Sequence, residues 1–315
     1  MSSLVVGSIA LDDVRTPFGK AQDALGGTAV YYSIAASTFT DVQLVGVIGD
    51  DFPQEGVDLL RGRNVDLAGL QRRHGETFRW VGEYDFDMNI AHTLDTRLNV
   101  FETFHPSIPD HYRDASIVFL GNIDPELQLD VLRQVKKPKL TALDTMNFWI
   151  ERKREQLTEV IKNVDAVLIN EAELREYAGK YNVLQAAQCL QQLGPRIVVV
   201  KRGEYGAMLF NDNDLFIVPA FPTYEVRDTT GAGDSFAGGF LGYLDSCSTI
   251  DGSRLREATV LGTILASFAV EDFSVYGLVR ADSPSIEERY ARLTDISRIF
   301  PTVSLPERHL VIEGV

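Results

Sequence analysis

The sequence predicts an α/β fold: a three-layer α/β/α sandwich with a mostly parallel central sheet, helices on both faces and a small second sheet appended to it. Three observations carry this. Short β-branched runs alternate with longer segments of three-to-four periodicity, the arrangement that builds successive βαβ units. The runs are apolar at consecutive positions, as in strands buried on both faces. One aromatic segment instead alternates with a period of two, the pattern of a strand with a single covered face.

In chain order, Leu4 to Ile9 reads as the first strand, Thr28 to Phe39 as a helix, Val42 to Ile48 as a strand and Gln54 to Arg63 as a helix. Phe78, Trp80, Tyr84 and Phe86 then alternate with Arg79, Val81, Glu83, Asp85 and Asp87, which predicts an antiparallel strand outside the core, with Leu98 to Phe104 as the next strand. Ser116 to Leu120, Leu140 to Asp144, Ala166 to Ile169 and Ile197 to Val200 are further core strands. Glu126 to Val135, Phe148 to Val164, Leu184 to Leu193 and Leu255 to Phe268 carry apolar residues at helical spacing with polar residues between. The expected division is a core of residues 1–12, 27–72 and 107–315, and a small β unit from 13–26 and 73–106.

Composition bounds the function. A chain of 315 residues, 45% hydrophobic, can bury one large core with one modest appendage. A net charge of -15 argues against nucleic acid or an anionic membrane as partner, since both require excess positive charge. Cys189 and Cys247 are far apart and suggest neither a disulfide framework nor a metal cluster. His74, His92, His105, His111 and His309 show no metal-ligand spacing and read as surface or structural residues. Met1-Ser2-Ser3 has no basic region, the apolar run after it stops at Asp12, and no stretch approaches a membrane span. A cytoplasmic enzyme is the expectation.

The most informative stretch is Asp228-Thr229-Thr230-Gly231-Ala232-Gly233-Asp234-Ser235-Phe236. Gly231 and Gly233 let the backbone turn sharply and its amides converge on an anion, which the dipole of the following helix also favours. Asp234 would repel a phosphate, so its place there makes sense if it accepts a proton from an attacking hydroxyl. An Asp in the first turn of any helix is also favourable on its own. The continuation favours the chemical reading, because Phe236, Ala237, Phe240, Leu241 and Leu244 bury one face, while Gly238 and Gly239 allow close packing. Rival phosphate motifs fail: Phe236 stands at the third glycine of a dinucleotide fingerprint, and no Gly-x-x-x-x-Gly-Lys-Ser/Thr occurs.

Here the chain resembles the ribokinase/PfkB family of carbohydrate and nucleoside kinases, whose C-terminal signature is similar to Asp228 to Phe236. The resemblance extends to Gly7-Ser8-Ile9 with Asp12, Gly26-Gly27, Val45 to Asp51 and Asn170-Glu171-Ala172-Glu173, in the family's order. It implies a ribokinase-like fold in which the small sheet is a lid over the sugar site. It implies Asp234 as catalytic base, the amides of Gly231, Ala232 and Gly233 as the anion hole, and Asn170 and Glu173 as organisers of magnesium and phosphate. ATP and Mg2+ follow from it, and some relatives hold a monovalent cation near the positions of Asp228 and Thr230, so K+ is an open expectation.

The remaining candidates carry competing readings. Asn170 and Glu173 also form a capping box, which needs no ligand; they follow a strand whose carboxyl end is where such folds bind ligands, and both roles can coexist. Asp12 could accept hydrogen bonds from sugar hydroxyls, as the family's Asp does, or be a solvated turn residue beside Asp13. Gly26 and Gly27 would let the chain pass close to a substrate or merely open the helix. Where a common family pattern has Asn four residues after the second glycine, this chain has Tyr31, with Tyr32 beside it, which leaves ribose in doubt and suits a bulkier or partly apolar acceptor. Lys201-Arg202-Gly203 could meet ATP phosphates or form a solvated turn. The region 258–275 is expected to supply the adenine wall.

The expected function is ATP-dependent transfer of the γ-phosphoryl group to a hydroxyl of a sugar or sugar-like molecule. A nucleoside kinase shares every catalytic residue and is the alternative. A catalytically silent sugar-binding regulator and a structural oligomerisation module built on the lid are the distant ones; neither explains a carboxylate at the anion turn. A lid-to-lid homodimer is a further expectation.

Overall fold

In the computed structural model, residues 2–212 and 214–298 are described; His309 therefore lies outside the described residues. The strands, in chain order, are β1 Ser2–Val6, β2 Ala10–Thr16, β3 Gly19–Gly26, β4 Asp41–Ile48, β5 Val65–Arg72, β6 Phe78–Tyr84, β7 Ala91–Arg97, β8 Ile117–Leu120, β9 Leu140–Asp144, β10 Ala166–Asn170, β11 Ile197–Lys201, β12 Ala207–Asn211 and β13 Asp214–Val218. Among the described residues they form a nine-stranded sheet, ordered β13-β12-β11-β10-β9-β8-β1-β4-β5, and a four-stranded sheet, ordered β3-β2-β6-β7.

From β11 to β5 every pairing in the large sheet is parallel, and β12 and β13 add an antiparallel margin. Both faces are covered, which explains the unbroken apolar runs. Ile117 and Phe119 join the cluster under helices Thr28–Ala36, Ala232–Ser246 and Gly252–Ala269, whereas Val118 and Leu120 point into the opposite one, with Leu157, Leu174 and Leu190.

The chain moves outward from β1 in both directions, through β4 to β5 and through β8 to β11. That reversal puts a crevice at the carboxyl ends of neighbouring β1 and β8, the place where open α/β sheets bind ligands. The carboxyl edge also carries Asp144, Asn170 and Lys201 as the last residues of β9, β10 and β11. The chain enters the small sheet after β1 and again after β5, so that sheet springs from the same edge.

Four expectations are corrected. β6 pairs antiparallel with β7 but parallel with β2, because β2 and β6 both leave the core at its carboxyl edge. Leu98 to Phe104 is not a strand: Asn99–Thr103 is a 3-10 turn that buries Val100 and stacks Phe101 on Phe104, three residues apart, at 5.5 Å. The strand beside β6 is instead β7, exposed along its whole length, whose polarity hid it from a reading based on buried faces. Finally, Phe148 to Val164 is broken at Lys153 into helices Asn147–Arg152 and Arg154–Lys162, and Phe86 lies beyond β6, exposed beside Phe18.

Candidate active site

The signature forms a turn and the first residues of the buried helix Ala232–Ser246. Gly231 caps that helix in the left-handed region, with φ 74°, and a Cβ there would fall 2.4 Å from the Tyr31 ring; conformation and space both exclude a side chain. Ala232 N donates to Thr229 O at 3.2 Å and Ser235 N to Gly231 O at 2.8 Å. Among the described residues the amides of Gly231, Gly233 and Asp234 have no backbone acceptor, so they are the free donors at this helix N-terminus. Of the three amides expected to form an anion hole, that of Ala232 is thus engaged within the turn.

Lys201 meets this turn from the end of β11. A Cβ on Gly233 would lie 3.0 Å from Lys201 Nζ, and the ammonium is paired with Asp144 Oδ2 at 2.5 Å. Burial opposes the charge on Lys201, but Asp144 and Glu173 more than offset it, so its pKa lies above the usual lysine value. Asp234 is pushed up to about 7, chiefly by burial and then by the negative charge of Asp144; Lys201 and a hydrogen bond from Thr28 act in the opposite direction. A carboxylate poised near neutrality can exist in either state at working pH, which is what a general base requires.

Asn170 and Glu173 do form the capping box: Glu173 N donates to Asn170 Oδ1 at 2.8 Å, and Asn170 N to Glu173 Oε2 at 3.1 Å. The capping carboxylate is itself buried, with its pKa raised to about 7 by burial first and by Asp144 second. A solvent-facing cap would gain nothing from such burial. Gly203 stands apart from this group, opening a short turn whose nearest neighbour is the Asn89 side chain. Arg202 pairs with Glu171 at 2.5 Å.

On the other side of Asp234 lies an acidic nest. Asp12 is buried, and burial followed by the charges of Asp228, Asp234 and Asp13 holds its carboxyl well above the usual range. Gly26 is the residue that lets β3 pass Asp12, since a Cβ there would fall 2.0 Å from Asp12 Oδ2, and Gly27 follows with φ 91°. Tyr31 is buried against Gly231, its phenol pKa raised well above 10 by burial and by Asp228 and Asp12. Asp228, also buried, accepts from Thr230 N at 2.9 Å and from the Ser274 amide; burial nevertheless raises its pKa. Tyr84 reaches down from β6 so that its hydroxyl lies 3.1 Å from Thr230 Oγ1, and Thr229 Oγ1 donates to Met88 O at 2.8 Å.

A cavity of about 630 Å³ opens beside this nest, between residues 221–227, the end of helix Gly252–Ala269 and helix Ser283–Ile296. Phe221, Tyr224, Arg227, Phe268 and Glu271 are among its walls. Arg227 N and Asp228 N both donate to Val270 O, which ties the cavity wall to the signature turn.

Residues 20–279 match the pfkB family of carbohydrate kinases. The chain belongs to that family. It is 32% identical over 265 residues to a cytidine kinase of Thermococcus kodakarensis, covering 81% of this chain and 94% of that one. Two solved structures share its fold: a nucleoside kinase of Methanocaldococcus jannaschii, TM-score 0.74 at 20% identity over 93% and 99% of the two chains, and a fructokinase of Vibrio cholerae bound to fructose, ADP and calcium, TM-score 0.75 at 17% identity over 92% and 98%. As a member of the family, the chain is an ATP-dependent kinase acting on an alcohol group of a sugar or nucleoside.

The sequence reading had not singled out Asp144, Thr28 or Tyr84. Asp144 was assigned only as the end of a strand; its signal was a lone acid closing an apolar run at the carboxyl edge. Thr28 passed as an ordinary first residue of a helix. Tyr84 was counted in an aromatic stripe, and its hydroxyl contact with Thr230, 146 residues away, has no local signature.

Proposed function

We propose that Asp234 is the general base of phosphoryl transfer from ATP to an acceptor hydroxyl bound between Asp12 and the small sheet. The observation that carries this is the meeting, at one helix N-terminus, of a carboxylate with a pKa near 7, amides without backbone acceptors and a buried ammonium. Asp234 takes the proton as the acceptor oxygen attacks the γ-phosphorus in line. The Gly231 and Gly233 amides and Lys201 face the oxygens on which charge accumulates. Thr28 holds Asp234 by a hydrogen bond to its carboxylate. The small sheet acts as a lid, excluding water and limiting wasteful hydrolysis.

Glu173, with Asn170 behind it, would hold Mg2+, which supplies neutralisation of phosphate charge when bound. Buried Asp228 has two amide donors and, among the described residues, no paired cationic side chain, which fits a monovalent cation such as K+ beside Thr230. The adenine end of ATP is assigned to the cavity bounded by Phe268 and Glu271, within the 258–275 wall, and Gly203 to the phosphate side of that route. The exposed edge strand β7 supports a homodimer through the small sheet; a monomer by light scattering at micromolar concentration would exclude it. No described helix is long and apolar enough to cross a membrane.

The test is ADP release with inosine, adenosine, cytidine, ribose and fructose as acceptors, with and without Mg2+. Acceptor-dependent, metal-dependent ADP release is expected. Release that no acceptor stimulates would reject the assignment.

A further inference from the structure

We propose that Trp80 is a stacking platform for a heterocyclic base on the acceptor, which makes a nucleoside, not a free sugar, the preferred substrate. The proposal rests on the kinase reading above and narrows its acceptor.

Trp80 of β6 lies directly opposite Asp12 of β2 in their parallel register, so the two side chains leave the small sheet on the same face. Tyr84, four residues further along β6, shares that face, and its hydroxyl contact with Thr230 shows that the face looks onto the signature turn. The indole lies across Gly82: a Cβ there would fall 2.2 Å from Cη2 and 2.3 Å from Cζ2 of the ring. Any other residue at 82 would lift the indole off the sheet. Across the strand, Trp80 Nε1 donates to Thr93 Oγ1 at 3.0 Å, which satisfies the ring's one donor and fixes its plane.

An indole with its N–H bonded and its six-membered ring packed at Gly82 has π-surface and no further hydrogen bond to offer, and Trp80 is only partly buried. Next to it stands Asp12, an acceptor for hydroxyl groups, one strand spacing or about 4.8 Å away. A nucleoside carries the matching pair, a sugar with adjacent hydroxyls and a planar base attached to it. A free sugar satisfies Asp12 and leaves the indole face unused. Stacking tolerates any base, so this platform selects for the presence of a heterocycle more than for its identity.

The chain has two tryptophans, so Trp149→Phe leaves Trp80 as the sole indole reporter. In that variant, without ATP, titration with cytidine, adenosine and inosine should quench or shift Trp80 emission saturably, and ribose should not. In steady state, Trp80→Ala should raise the nucleoside KM about ten-fold or more, with ribose KM and the far-ultraviolet circular dichroism unchanged, and Trp80→Phe should restore most of the loss. Nucleosides that are phosphorylated without altering Trp80 emission, with the same KM in Trp80→Ala, would overturn the proposal. So would an enzyme that phosphorylates sugars and binds no nucleoside. The emission titration needs no turnover, so nucleoside binding at Trp80 by an enzyme that phosphorylates nothing would uphold the platform while rejecting the kinase assignment.

Discussion

Replacing Asp234 by Asn should cost activity and gain stability, and the two effects have the same origin. Burial and Asp144 raise the Asp234 pKa from the ordinary 3.8 to about 7. The folded protein therefore binds a proton between those values that the unfolded chain does not, and stability falls as pH rises from about 4 to about 7. Above pH 7 the whole difference has been lost, at most about 4 kcal/mol for a shift of roughly three units. Asn keeps the shape without the charge, so urea denaturation at pH 8 should show the variant more stable than the parent, by up to that amount, with the advantage vanishing below pH 4. Turnover should fall by about two or more orders of magnitude, the usual scale for a positioned base. Near-parental turnover would refute the base assignment. A variant no more stable than the parent at pH 8 would refute the claim that the site holds this carboxylate against its own ionisation.

Asp144→Asn removes the charge that raises Asp234 and loosens Lys201, which is then free to favour the Asp234 anion; both effects lower the Asp234 pKa. The acid limb of the kcat/KM profile, set by ionisation of the base in the free enzyme, should move from near pH 7 to lower pH by about one unit or more. Glu173→Gln separates capping from metal binding: it retains an acceptor for the Asn170 amide but not the charge, so the melting temperature at pH 8 should hold or rise while the Mg2+ concentration for half-maximal rate increases about ten-fold. Gly231→Ala forces a side chain into the left-handed region and into the Tyr31 ring, costing about 1–2 kcal/mol for the backbone and about 1–3 for overpacking. Urea denaturation should register several kcal/mol, together with loss of turnover.

Much of the site was legible because its chemistry is local. The glycine turn, Asp234 and the helix behind them are contiguous, and glycine at 231 is demanded by a single φ. The capping box likewise lies within four residues. Tyr31 stands out in the sequence as a candidate acceptor contact; that its ring packs against Gly231, a contact between residues 200 positions apart, is encoded by no local pattern. The small sheet was located by its aromatic period of two, yet its partner strand was misplaced, because β7 is exposed on both faces while Phe101 and Phe104 gain more by stacking on a helical turn.

The sequence by itself determined the α/β alternation, the two-sided burial of the core strands and the glycine turn of the candidate site, since each depends on neighbours a few residues apart. Tertiary structure decided the electrostatics. Asp144, Lys201, Glu173 and Asp234 come from β9, β11 and two different helices, and they share charge because the parallel sheet brings strand ends together at one edge. The face proposed for the acceptor was decided the same way, when the register of β2 against β6 set Asp12 beside Trp80. A pKa depends on burial and on charges across space, and a binding face on strand register; neither is a property of any single segment of chain.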